Sequence, residues 1–203
     1  CVLFLARTKD LSHLMQLNLS WNELTSKGIE ALAQCGSLTG LTTLILNANN
    51  IGDEGMHAIA ESKTLSCLKT LSLTKNQIGD SGALALIKSA NLSQLSTLDL
   101  ELNQVGKERL TKFPDGTAIA SLSRLNLRRN QIGDDTILDW LQTGVFAPIK
   151  HLNLGWNKIG DAGILAFAKS PMLSGLEQLI LDSNYISNEG ANAIAQSKHL
   201  ESL

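Results

Sequence analysis

A chain of 203 residues, 43% of them hydrophobic, carries enough apolar material to fill the core of one or two domains. Its formal net charge of -2 is spread over short mixed runs, which excludes a basic stripe for nucleic acid and a polybasic patch for a membrane surface. No apolar run approaches the ~20 residues that cross a bilayer, and with aromatics at only 4% the core must be mainly aliphatic.

The apolar opening, Cys1 to Ala6, is short and has no basic residues ahead of it, unlike a secretory signal core. Val2, Leu5 and Leu11 instead lie 27 residues upstream of Ile29, Leu32 and Leu38, so residues 1–13 read as the helical half of a repeat. From Leu14 to Asn22 the chain then spells LxxLxLxxN, and the pattern returns from residues 41, 68, 95, 122, 149 and 176. Its asparagines, Asn22, Asn49, Asn76, Asn103, Asn130, Asn157 and Asn184, are 27 apart without one insertion or deletion. A fixed period of this length is the mark of a repeat array.

Within each unit the leucines of LxLxx alternate with polar residues, which predicts a short strand with one face inward. After the Asn comes a turn and a helix, clearest in Ile51–Ala60 and Ile159–Ala168. Asp53, Asp80, Asp134 and Asp161, with Ser26 and Asn188 in weaker form, stand where a helix begins and are expected to cap it. Three apolar columns complete the unit. Two lie three residues apart on one helical face, as in Ile29 and Leu32 or Ile164 and Phe167; the third, Leu38 to Leu200, closes each repeat. The Asn amide is expected to be buried, bonding backbone of its own turn and of the adjacent repeat, because unpaired it would cost about 1 to 3 kcal/mol.

The LxxLxLxxN strands and IGDxGxxAxA helices together make the sequence resemble the ribonuclease-inhibitor-like class of leucine-rich repeats over essentially the whole chain. The resemblance implies an α/β fold: a right-handed solenoid, or horseshoe arc, with parallel strands on the concave face and helices on the convex face. That class includes ribonuclease inhibitors, sensor portions of NOD-like receptors, the activating protein of the Ran GTPase and many bacterial proteins. The uniform 27-residue unit is most similar to the bacterial members, several of which are effectors delivered into host cells. The implied function is protein binding through the concave face, as a monomer and without cofactor. A second reading makes the array the recognition or sensor arm of a larger enzyme, such as a ubiquitin ligase or NOD-like ATPase.

Two departures matter. The chain is neither cysteine-rich nor strongly acidic, which argues against tight ribonuclease binding. In repeat four, Val105–Gly116 lacks the helix-start Asp, and Pro114 would interrupt a helix, so a shorter irregular convex segment is expected there. The array is read as one domain over 1–203. Leu203 falls where an eighth strand would start and neither end shows a polar capping module, so a longer parent protein is expected.

The outward strand positions are mostly small and neutral, except in repeats four to six. There Asp99, Glu101, Leu102, Arg124, Arg128, Arg129, His151 and Trp156 gather within about three strand spacings, and Trp and Arg often dominate protein interfaces. Two readings stay open: a partner-binding patch, or residues that satisfy one another, Glu101 pairing with Arg128 and Trp156 lying on Leu102 or Arg129. No catalytic signature such as GxSxG, HExxH or a P-loop appears, and His13, His57, His151 and His199 are dispersed. Cys1, Cys35 and Cys67 form no CxxC and have no His at ligand spacing, which predicts free thiols in a reducing compartment and no metal.

Overall fold

The computed structural model describes residues 11–108 and 119–203. Seven three-residue strands, β1 (Gln16–Asn18), β2 (Thr43–Ile45), β3 (Thr70–Ser72), β4 (Thr97–Asp99), β5 (Arg124–Asn126), β6 (His151–Asn153) and β7 (Gln178–Ile180), form one sheet in sequence order. Every pair is parallel and shifted by 27 residues, so Leu17, Leu44, Leu71, Leu98, Leu125, Leu152 and Leu179 stack in one row. Among the described residues six α-helices lie on the convex side: α1 (Ser26–Ala33), α2 (Gly52–Glu61), α3 (Asp80–Ile87), α4 (Asp134–Thr143), α5 (Asp161–Lys169) and α6 (Asn188–Ala195). The result is an open α/β solenoid. The segment around Pro114, where an irregular convex stretch is expected, lies outside the described residues, as do Val2, Leu5 and Cys1.

Three-residue strands are too short to hold a sheet by themselves, and the core between strands and helices does the rest. Ile29, Met56, Ala83, Ile137 and Ile164 and the neighbouring column Leu32, Ile59, Leu86, Trp140 and Phe167 are all buried. In repeats five and six the aliphatic packing gives way to rings: Phe146 lies 5.9 Å from Trp140 and 5.2 Å from Phe167, in tilted contacts that suit aromatic quadrupoles.

Where each strand ends the chain turns away, and its backbone groups need partners from elsewhere. Asn103 supplies them on both sides. Its Nδ2 donates to the carbonyls of Leu73 in the previous repeat (3.0 Å), Leu100 (3.0 Å) and Glu101 (3.1 Å). Its Oδ1 accepts from the amides of Asn76 (2.9 Å) and Ile78 (3.0 Å). Asn49, Asn130, Asn157 and Asn184 likewise accept from the previous repeat and donate to both repeats. Asn22 is exposed and, among the described residues, its side chain bonds Leu19 and Ser20 of its own turn.

Asn76 is the exception. It is fully buried, yet its Oδ1 has no partner. In Asn49, Asn103, Asn130, Asn157 and Asn184 that oxygen takes the amide 25 residues earlier, which here would be Ile51. In repeat two the turn is shifted: Gly52 adopts a left-handed φ of 66°, α2 starts at that residue, and the Gly52 amide goes to the Asn76 carbonyl instead.

The helix-start acids do not cap their own helices, which corrects the local reading. Asp80, Asp134 and Asp161 occupy the first helical position after Gly79, Gly133 and Gly160, with no side-chain cap bond. Their carboxylates reach forward. Asp53 accepts from the Gly79 amide (2.6 Å), Asp80 from Gly106 (2.9 Å), Asp134 from Gly160 (2.7 Å) and Asp161 from Ser187 (2.9 Å). Each therefore fastens the start of the next repeat's convex segment. Asn188 and Ser26 do not cap either; in α6 the cap is Ser187, whose hydroxyl accepts from the Glu189 amide. Burial pushes the Asp80 carboxyl above its ordinary range, while the Ser187 hydroxyl and backbone bonds hold Asp161 below it.

The second glycine of the IGDxG signature follows from this contact. A Cβ at Gly82, Gly163 or Gly190 would come within 2.6 Å of Oδ1 of Asp53, Asp134 or Asp161 of the preceding repeat. A third crossing sits at the helix ends. Ser62, Ser89 and Ser197 donate to the carbonyls of Ala33, Ala60 and Ala168, one repeat back.

Two stability outcomes are expected. Asn103→Ala should lower the unfolding free energy by about 1 to 3 kcal/mol, and Asn22→Ala by clearly less, in denaturant titrations; equal losses would mean that bonds to the neighbouring repeat contribute nothing. Gly82→Ala should cost about 1 to 3 kcal/mol through overpacking, and the double variant with Asp53→Ala should lose less than the sum. Strict additivity would show that the Asp–Gly contact is not what excludes a side chain.

Candidate functional site

The concave surface is built from the outward residues of β1 to β7, in columns set by the strand register. At its rim runs a column that is not strand at all. Trp21, Ala48, Lys75, Leu102, Arg129, Trp156 and Ser183 all hold a left-handed φ between 53° and 59°. Such a conformation is disfavoured by roughly 1 kcal/mol for residues other than glycine. It is kept because it aims the amide across the gap: Arg129 N reaches the Gly155 carbonyl at 2.9 Å and Trp156 N the Asp182 carbonyl at 2.7 Å. The following Asn then fastens the bend.

In repeats four to seven these columns carry a connected polar network. Asp99 Oδ1 accepts from the Glu101 amide (2.9 Å) and from Asn126 Nδ2 (3.0 Å), which also reaches Glu101 (3.3 Å). Burial raises the Asp99 carboxyl above its usual range, partly offset by the Glu101 amide bond. Arg128 stands 4.0 Å from Glu101 but makes its short contact, 2.7 Å, with Asp182. That bond spans two repeats. It is possible because the intervening residue is Gly155, where a Cβ would collide with both the Asp182 carboxylate and the Arg128 guanidinium.

Trp156 closes the network. Its backbone amide bonds the Asp182 carbonyl, and the carboxyl of that residue is held low mainly by the Arg128 bond. The Arg129 and Arg128 guanidiniums lie 4.9 Å and 5.9 Å from its ring centroid, within cation–π range. Even so, 49% of the residue stays exposed. At the other end of the arc Trp21, 79% exposed, meets Lys75 Nζ at 5.4 Å across Ala48.

Of the residues singled out by sequence, Asp99, Glu101, Arg128, Arg129 and Trp156 thus belong to one network. Arg124 and His151 are paired in register at the opposite end of β5 and β6. They line a shallow hollow of about 280 Å³ together with Asp99, Asn126, Asn153 and Ile180. Leu102 is exposed and takes no part in the polar bonding. The residues satisfy one another in part: Glu101 is bonded by Asn126 and Trp156 is covered by Arg129, while the tryptophan remains accessible. Sequence reasoning missed Asn126, Gly155 and Asp182. The signal was the column Arg128, Gly155, Asp182, opposite charges separated by a residue without a side chain.

Among the described residues, no group of three or more His, Cys, Asp or Glu side chains is placed to hold a metal ion, and no helix is long and apolar enough to cross a membrane. Among the described residues, Cys35 and Cys67 are not joined in a disulfide.

The Leucine Rich repeat family profile matches residues 10–33, 38–60, 64–86, 119–135 and 147–168, together more than half of the chain. The chain belongs to the leucine-rich repeat family. Among solved structures, this leucine-rich repeat array is similar to two internalins of Listeria monocytogenes. Internalin C2 (inlC2) shares 24% identity at a TM-score of 0.55, covering 95% of this chain and 80% of that one. Internalin inlF shares 18% identity at a TM-score of 0.52, covering 95% of this chain. The chain spans about half of the inlF chain, 54%. At these identities the likeness concerns the fold. No curated protein matches the sequence.

Gly155→Ala separates brace from scaffold. Its clashes are with the far ends of flexible side chains, so the unfolding midpoint should barely move, while Trp156 loses the Asp182–Arg128 support. In a Trp21→Phe background, acrylamide quenching should therefore increase, since Trp140 is buried. Unchanged quenching would show that the bridge does not hold the indole.

Proposed function

We propose that the chain is a protein-interaction module that binds its partner through the concave face of repeats four to seven. The observation that carries this reading is Trp156: half exposed, yet with its ring covered by Arg129 and flanked by an Arg128 that is fixed on Asp182. An anchor fixed before binding has less freedom to lose when a partner arrives, and Trp and Arg are the side chains that most often dominate interface energetics. The shallow hollow and the absence of any catalytic motif support binding over chemistry.

The ribonuclease-inhibitor-like class is part of the same proposal, supported by the α-helices of eight to ten residues in six repeats. A role as a bacterial effector rests on the uniform 27-residue unit and its similarity to bacterial members of the class.

The test uses the partner isolated with the wild-type chain. Trp156→Ala with Arg129→Ala should weaken its binding by at least about tenfold, or ~1.4 kcal/mol, with unchanged circular dichroism. Leu138→Ser on the convex face of α4 should leave it intact. Binding that survives the concave variant, or is lost with the convex one, places the interface elsewhere.

A further inference from the structure

The concave surface of repeats four to seven carries three carboxylates, Asp99, Glu101 and Asp182, and three guanidiniums, Arg124, Arg128 and Arg129. Their pairing is unequal. Asp99 is held by Asn126 and the Glu101 amide, Glu101 by Asn126, and Asp182 by Arg128. Arg128 is thereby used up. Arg124 and Arg129 are both exposed, and neither has a carboxylate within 4.0 Å among the described residues. Glu177 makes its bond, 2.7 Å, to Lys150 and feels the Arg124 charge only weakly.

The hollow beside Arg124 is donor-rich in the same sense. Asn153 Oδ1 is occupied by the Gly155 amide, which leaves its Nδ2 as the group with capacity to spare. His151 Nδ1 is buried without a partner. A buried N–H left unpaired is rarer and costlier than a bare lone pair, which favours an Nδ1 without a proton and leaves Nε2 as the ring's donor. The one acid in the lining, Asp99, already has its Oδ1 bonded twice.

We propose that the partner recognised by this face is an acidic protein segment with an apolar side chain beside its carboxylates. A Glu or Asp side chain enters the hollow between Arg124 and His151, a second carboxylate meets Arg129, and the apolar side chain lies against Trp156. A basic segment finds no carboxylate there that is not already taken. The volume of about 280 Å³ is below that of ordinary cofactor pockets, ~300 to 1,000 Å³, and suits a side chain. This inference rests on the concave-face reading above.

The test titrates two fluorescent peptides of equal length with the same leucines, one alternating them with Glu and the other with Lys. They are added to the wild-type chain and to Arg124→Glu/Arg129→Glu, whose folding is checked by circular dichroism. The acidic peptide should bind the wild type at least about tenfold more tightly than the basic one and weaken with added salt. On the reversed variant the preference should invert. Equal or stronger binding of the basic peptide to the wild type, an acidic peptide indifferent to charge reversal, or no binding by either peptide overturns the proposal.

The outcomes separate the two readings. If the basic peptide binds and Trp156→Ala abolishes it, the concave face stands and only the acidic partner falls. If the acidic peptide binds but ignores every concave substitution, the face itself is wrong.

Discussion

A backbone that leaves a three-residue strand has amides and carbonyls that its own repeat cannot pair, and the side-chain amide of one asparagine per turn supplies the missing partners. Asn103 makes five such bonds, three of them to groups of the preceding repeat. Since an unpaired buried polar group costs about 1 to 3 kcal/mol, neither repeat is stable without the other. The aspartate bonds at the helix starts and the serine bonds at the helix ends repeat the logic at two further levels. All three series run between neighbours, so stability is a sum of repeat and interface contributions, as expected for a one-dimensional array. One weak link is visible at Asn76, buried with one oxygen idle.

The period and the apolar columns were legible because a packing surface repeated at a fixed interval leaves its mark on every unit. The aspartates were legible as important but not in their role. A capping rule looks two or three residues along the chain, whereas Asp134 bonds an amide 26 residues away. The same gap hid the reason for Gly163, which reads as a poor helix former until the aspartate above it is in view. The serine crossings at Ser62, Ser89 and Ser197 left no trace distinguishable from ordinary turn chemistry. Nor could sequence separate repeats two and three, which share the letters IGD, although the left-handed residue is Gly52 in one and Gln77 in the other.

At the candidate site, residue types were easier to read than partners. Glu101 and Arg128 occupy one column in adjacent repeats, and proximity made them the natural pair, yet Arg128 passes over Gly155 to Asp182. The same geometry recurs where Trp21 reaches Lys75 over Ala48. On a concave sheet a small residue opens a window between its two neighbours, about two strand spacings apart. Long side chains use it, so contact prediction between adjacent repeats alone misses the bonds that set the surface.

Those bonds also decide what docking costs. Burying an ion pair takes both charges out of water, and the loss is recovered only where geometry and further hydrogen bonds are already good. Arg128 and Asp182 meet that condition before any partner arrives, with a 2.7 Å bond and the Trp156 ring beside the guanidinium. A partner covering Trp156 therefore need not supply counter-charges for them. Arg129 is different: it lies over the same ring with no carboxylate of its own among the described residues. Covering it without an acid would strand a guanidinium in a drying interface, so the electrostatic demand of this face falls on the residue that the internal network leaves out.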